Sequence, residues 1–150
     1  HDQDKFLGLM KSLMAPGGVA FFAFPPWQNP FGGHQQICEN RFLSKLPYYH
    51  LLPAFLYKFV LRIFGEKAGK IGALLEIKET GISLERFERI CRKNGYESIL
   101  KKLYMINPNY EIKFGLKPQV LPFWMNIRFI RNFYTTAGYY LIQPRKQSAQ

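Results

Sequence analysis

At 150 residues the chain is long enough to bury a sizeable core, so one domain or a large part of one is expected. Net charge is +11 with 47% hydrophobic and 17% aromatic residues, a folded composition with a basic surface. The basic residues are dispersed in pairs such as Arg92-Lys93 and Lys101-Lys102, which argues against a specific nucleic-acid site and leaves a charge-driven RNA contact as an alternative. Cys38 and Cys91 are too few and too far apart for a disulfide framework or a zinc site, so two free thiols and no metal are expected. The first residues lack the basic start and apolar run of a secretory signal, and free thiols fit a cytoplasmic setting. The sequence opens at His1 directly before a helix pattern, which reads as a fragment of a longer chain.

Asp2 and Asp4 suit a helix N-terminus, and Phe6, Leu9, Met10, Leu13 and Met14 recur at helical spacing behind them. Pro16, Gly17 and Gly18 end that helix, since proline cannot continue it and glycine permits the reversal. Val19 to Phe24 is apolar without alternation, the pattern of a strand covered on both faces.

Pro25 to Phe42 follows as a long loop of prolines, glycines and amides, and long ordered loops tend to carry function. In open α/β sheets ligands lie beyond the carboxyl ends of parallel strands, so if Val19 to Phe24 is such a strand, Pro25 to Gln36 hangs over the ligand crevice. His34 is its candidate catalytic residue, because imidazole suits proton transfer near neutrality and Gly32-Gly33 let the backbone approach a ligand. A capping or loop-bonding role is its structural alternative. Trp27, Phe31, Gln35 and Gln36 are candidates for packing against a substrate or fixing its polar groups.

Leu51, Leu52, Phe55, Leu56, Phe59, Val60 and Ile63 form a broad apolar helical stripe. A buried cap helix is one reading of it, in which Tyr48, Tyr49 and His50 face a substrate or pack in the core. A non-enzymatic module that binds a partner or a membrane surface through 51–64 is the alternative. The stripe is too short and too charged to span a bilayer. A glycine-containing hinge and a short apolar piece, Ile71 to Ile77, return the chain to the sheet.

Ile82 to Tyr96 gives the clearest local pattern. Ser83 is the N-cap, Ile82 and Phe87 have staple spacing, and Gly95 is the C-terminal cap. Glu85 with Arg89 and Glu88 with Arg92 suit four-residue pairing on a solvated face. Glu97 to Ile106 is then a strand with Ile99, Leu103 and Met105 on one side, stopped by Asn107-Pro108-Asn109. A short helix is expected within 118–131, and Tyr110, Lys113, Lys117, Arg128 and Arg131 could meet an anionic group. Phe133 to Ile142 reads as the last strand, with Gly138 relieving crowding against a neighbouring backbone, and a flexible tail from Pro144.

The turn Leu13-Met14-Ala15-Pro16-Gly17-Gly18 between helix and apolar strand, and the Asn94-Gly95-Tyr96 entry to the next strand, together resemble the C-terminal half of class I S-adenosylmethionine-dependent methyltransferases. Ala15 departs from the basic residue that family often carries there. The resemblance implies an α/β fold: the C-terminal part of a Rossmann-like sheet from 1–24 and 79–143, a loop and helical cap insert over 25–78, and a last strand running antiparallel between its two predecessors. It also implies methyl transfer from S-adenosylmethionine to a small-molecule substrate under the cap. The family's glycine-rich loop and acidic residue do not occur in these 150 residues, so only His1 and Asp2, beside the expected loop after the fourth strand, are cofactor candidates. Homodimerisation stays open.

Overall fold

The computed structural model describes residues 2–145. Helix α1 (Asp2–Leu13) leads through the Pro16-Gly17-Gly18 turn into β1 (Ala20–Phe24). Gly17 adopts φ +74°, a left-handed conformation that favours glycine, and the Gly18 amide donates to the Ala15 carbonyl at 2.8 Å. An irregular stretch with three short 3-10 turns precedes α2 (Ala54–Ile63), α3 (Ala68–Thr80) and α4 (Leu84–Lys93). Then come β2 (Tyr96–Ile106), α5 (Asn109–Phe114), the two-residue β3 (Gln119–Val120) and β4 (Ala137–Pro144).

The sheet order is β1-β4-β2-β3, and every neighbouring pair is antiparallel. Since β4 opposes both β1 and β2, those two strands point the same way with β4 between them. The last strand thus runs antiparallel between β1 and β2 as expected, but β1 stands at one edge of the sheet. Among the described residues no two strands pair in parallel, so the sheet is an open antiparallel one without the parallel ladder of a Rossmann-like sheet.

One core lies between the sheet and the helices α1 and α4, built on Leu84, Phe87, Ile90, Tyr96, Tyr140 and Ile142. Ser83 caps α4 as its sequence demands, its hydroxyl accepting the Arg86 amide hydrogen at 3.1 Å. Gly95 takes φ +71° at the other end. Gly138 leaves room for a helix side chain instead of a backbone, since a Cβ there would sit 2.8 Å from Leu84 Cδ2.

A second core belongs to the insert. Leu43, Tyr49, Tyr57, Leu61, Ile71 and Leu74 close it between α2, α3 and the preceding loop. The insert is pinned to the sheet unit by the Trp27 amide donating to the Ile82 carbonyl at 2.8 Å, and by the Tyr48 hydroxyl on the Phe133 carbonyl at 3.0 Å. Among the described residues no helix is long and apolar enough to cross a membrane.

Several expectations are corrected. Strand β1 is covered on one face only: Phe22 and Phe24 pack on Phe87, while Phe21 is 60% exposed. Helix α1 turns Leu7 into the core with Met10 and Met14 beside it, leaving Phe6, Leu9 and Leu13 outward, because it meets its neighbours along a narrow face. The return segment is the helix α3, which runs to Thr80. The buried residues of α2 are Tyr57 and Leu61; Phe55, Phe59 and Ile63 point outward, since the cap core lies on the α3 side.

A bulge between Ser98 and Leu100 turns Ile99 outward and lets Leu103 and Met105 face the core. In place of a helix over 118–131, β3 and two short 3-10 turns occur, and α5 stands where Asn107-Pro108-Asn109 was expected only to stop the strand. Strand β4 starts later than expected, at Ala137, and includes Pro144. The rest of the expected tail, from residue 146, lies outside the described residues, as does His1.

Candidate functional site

A cleft of about 680 Å³ opens where β1 and β2 end and β4 begins. Ala23, Phe24 and Pro25 form the rim contributed by β1; Asn107, Asn109 and Tyr110 follow β2; Thr136, Ala137 and Tyr139 come from β4. The carboxyl ends of the two like-directed strands, which are separated by β4, therefore meet at one depression. Phe31, His34 and Gln36 descend over it from the long loop and Ser44 and Lys45 from the 3-10 turn after it, while Lys113 and Phe114 of α5 and Leu116 just beyond close it.

Local sequence shapes the loop. Asn29 is buried, donates through Nδ2 to the Pro26 carbonyl at 3.0 Å and accepts the Phe31 amide hydrogen at 2.8 Å, an Asx-type turn. Gly32 follows because a Cβ there would lie 2.1 Å from the Trp27 carbonyl oxygen. His34 then takes φ 54°, a left-handed conformation that β-branched residues avoid, and stays exposed at the cleft.

Of the residues expected at a substrate site, His34, Phe31 and Gln36 come together at this cleft. Trp27, Gln35, Tyr49 and His50 do not line it; they form the strut of the loop and cap, Gln35, Tyr49 and His50 buried and Trp27 half-buried. Gln35 donates through Nε2 to the Pro30 carbonyl at 2.8 Å and meets His50 Nδ1 at 3.3 Å. His50 Nε2 lies 2.8 Å from the Trp27 carbonyl oxygen, which can only accept, so Nε2 carries the proton and Nδ1 accepts from Gln35. The rings of Trp27 and His50 meet edge to face at 4.7 Å, and Lys78 donates to the His50 carbonyl at 2.8 Å. Burial holds the His50 imidazole below its ordinary pKa, against the opposing pull of the Trp27 carbonyl.

Tyr49 packs on Tyr57 in the cap core and contacts Cys38 Sγ at 3.2 Å through its hydroxyl; burial drives its pKa far up. Both cysteines are free and buried. Asp2 is exposed in the first turn of α1 and does not line the cleft.

Among the basic residues considered for an anionic group, Lys113 lines the cleft with Tyr110, whereas Lys117 and Arg128 do not. Arg131 is withdrawn altogether, buried against Glu85 and Glu88 of α4. This also corrects the pairing on α4, where Glu85 faces inward because Arg131, Asn132 and the Phe129 amide supply its partners. Burial pushes the Glu85 carboxyl up, but the hydrogen bonds from Asn132 and the Phe129 amide prevail and hold it below its usual pKa.

Sequence reasoning did not single out Lys45, Asn107 or Tyr139 for this site. Asn107 was findable, because the rule that places Pro25 at a strand's carboxyl end places Asn107 at the end of β2 as well. Lys45 and Tyr139 carry no comparable mark.

The cleft thus combines one imidazole, two lysines and an apolar lining with no Asp or Glu among its described wall residues. It can hold a small polar or anionic molecule against aromatic walls and move a proton at His34. Comparisons with protein-family models, curated proteins and solved structures give no match.

Proposed function

We propose that this chain is the acceptor-side half of a class I S-adenosylmethionine-dependent methyltransferase that acts on a small molecule. The observation that carries the reading is the strand relation at the cleft: β4 runs antiparallel between β1 and β2, and the cleft opens at the carboxyl ends of those two strands. The turn from Leu13 to Gly18 and the Asn94-Gly95-Tyr96 strand entry add to it.

The described residues do not by themselves fit the cofactor. No carboxylate lines the cleft to accept ribose hydroxyls, and no glycine lines it where a backbone could approach an adenosyl group. The reading therefore requires those elements from sequence beyond these 150 residues. What the chain supplies is the acceptor's seat. Phe31, Phe114 and Tyr139 offer apolar walls, while Lys45 and Lys113 favour a negative or strongly polar substituent. His34 stands where it can take the proton that an oxygen or nitrogen acceptor sheds on methylation, a contribution of roughly 10²–10⁴ in rate.

The test is a labelled-methyl transfer assay on the full reading frame that encodes this sequence, run on a panel of small anionic aromatic and hydroxylated acceptors. His34→Asn keeps a residue that tolerates the left-handed backbone and removes the base. A fall in turnover with an unchanged melting temperature supports the reading. Unchanged turnover reduces His34 to a loop residue, and no transfer to any acceptor removes the assignment.

A further inference from the structure

The β3 margin of the sheet has a property that the cleft does not explain. From residue 111 to 120 no position is buried. Ile112 is 88% exposed, Phe123 90% and Trp124 66%, and Leu116, Val120 and Ile127 are exposed with them. Scattered apolar residues on a surface are ordinary, but here only Leu121 turns into the core, with Met125 packed beside it, while large apolar side chains on both sides of them stay exposed, a density that marks a surface that meets something else. The two-residue strand β3 lies within this stretch at one end of the sheet and, among the described residues, pairs with β2 alone.

Its charge decides between occupants. Lys113, Lys117 and Arg128 lie within the stretch, and none has a carboxylate oxygen within 4.0 Å among the described residues. Glu111 is the single acid between 110 and 130. A two-fold contact with a second copy would set this patch against itself and bring like charges together. Nucleic acid would match the charge but leave the aliphatic Ile112, Leu116, Val120 and Ile127 in water. Trp and Phe beside Lys and Arg, with aliphatic side chains between them, is the chemistry of a bilayer interface.

We propose that the 111–130 margin docks the chain onto an anionic lipid surface. Trp124 and Phe123 enter the headgroup boundary, and Lys113, Lys117 and Arg128 meet lipid phosphates. Each such cation contributes roughly a fivefold gain in partitioning, so about a hundredfold for the three. Lys113 and Leu116 belong both to this margin and to the cleft, so docking brings the cleft mouth to the lipid surface.

The experiment is co-sedimentation with vesicles of phosphatidylcholine alone and of phosphatidylcholine mixed with phosphatidylglycerol, with tryptophan emission recorded in parallel. Wild type is expected to sediment with the anionic vesicles and to shift its emission to the blue. Phe123→Ser with Trp124→Ser, and separately Lys113→Gln, Lys117→Gln and Arg128→Gln together, should each lower binding at least about tenfold while melting as wild type does. Phe55→Ser with Phe59→Ser on α2 should leave it unchanged. No sedimentation with anionic vesicles overturns the proposal. So does loss of binding only in the α2 variant, or a dimer in solution that Phe123→Ser with Trp124→Ser dissolves while lipid binding persists. Equal binding to both vesicle types overturns the electrostatic part.

Discussion

Arg131 closes on Glu85 with Nη2 2.9 Å from Oε1, and both side chains are 8% exposed. The pair joins two segments 46 residues apart, the 3-10 turn Ile130–Phe133 before β4 and the helix α4. The same guanidinium reaches Asn126 Oδ1 at 2.9 Å and Glu88 Oε1 at 3.3 Å, and Tyr140 donates to Glu88 Oε1 at 2.9 Å. An irregular stretch with little regular secondary structure is thus held by charge-assisted hydrogen bonds to a well-formed helix. Burial makes such a pair expensive to assemble, and more expensive to break by half.

Replacing Arg131 with Met should therefore cost about 3–5 kcal/mol, because Glu85 stays buried without its cation. The Lys101–Glu88 bridge at 2.6 Å is a useful contrast, since its two side chains are 31% and 22% exposed. Lys101→Met should cost less than about 1 kcal/mol. Urea unfolding of the two variants checks the ordering, and equal losses would show that Arg131 is not acting as a buried partner.

His50 gives a pH signature. Its folded pKa lies below the ordinary 6.5, so below that value the unfolded chain takes up a proton that the folded chain resists. Stability is then highest above about pH 7 and falls as pH drops through 6.5. The carboxyls held below their ordinary values, Asp4, Glu39 and Glu85, contribute their losses at lower pH, below about 4.5. Thermal melts between about pH 7.5 and 5.5 should show a decline that His50→Gln flattens. A decline of the same size in the variant would assign it elsewhere.

Two glycines should respond in opposite directions. Gly32→Ala forces a Cβ to 2.1 Å from the Trp27 carbonyl oxygen, so the loop under His34 must shift, with a loss of about 1–3 kcal/mol. Gly72 lies inside α3 with open space where a Cβ would go, and Gly72→Ala should gain about 1 kcal/mol from helix propensity alone. Melting temperatures of the two variants on either side of wild type are the expected result.

The parts of the fold legible in the sequence are those fixed by local physics. Ser83, Gly95 and the Pro16-Gly17-Gly18 turn announce their caps and reversal, and the structure builds them there. The strand end at Phe24 was legible because Pro25 and Pro26 cannot continue the ladder, whereas the parallel neighbours expected beside it are replaced by the antiparallel β4. What was hidden depends on partners distant in sequence. Glu85 has good spacing to Arg89, yet Arg131 and Asn132 draw it inward, and no periodicity within α4 encodes that choice. Trp27, Gln35 and His50 read as site residues because polar and aromatic groups in a loop serve equally well as a ligand wall or as a buried strut. Only the fold decides which. The helix α3 was underread because its glycines, Gly69 and Gly72, lower its apparent propensity while tertiary packing of Ile71 and Leu74 supplies its stability.

We propose that the cleft beyond Phe24 seats the acceptor of a methyl transfer, a reading that requires cofactor-binding elements these residues do not supply. Titration calorimetry of S-adenosylmethionine and its demethylated product into the full reading frame, with residues 1–150 alone as the comparison, tests it most directly. Saturable heat with the longer chain and little with residues 1–150 is the predicted result. The absence of heat with both ligands in the longer chain would contradict the account.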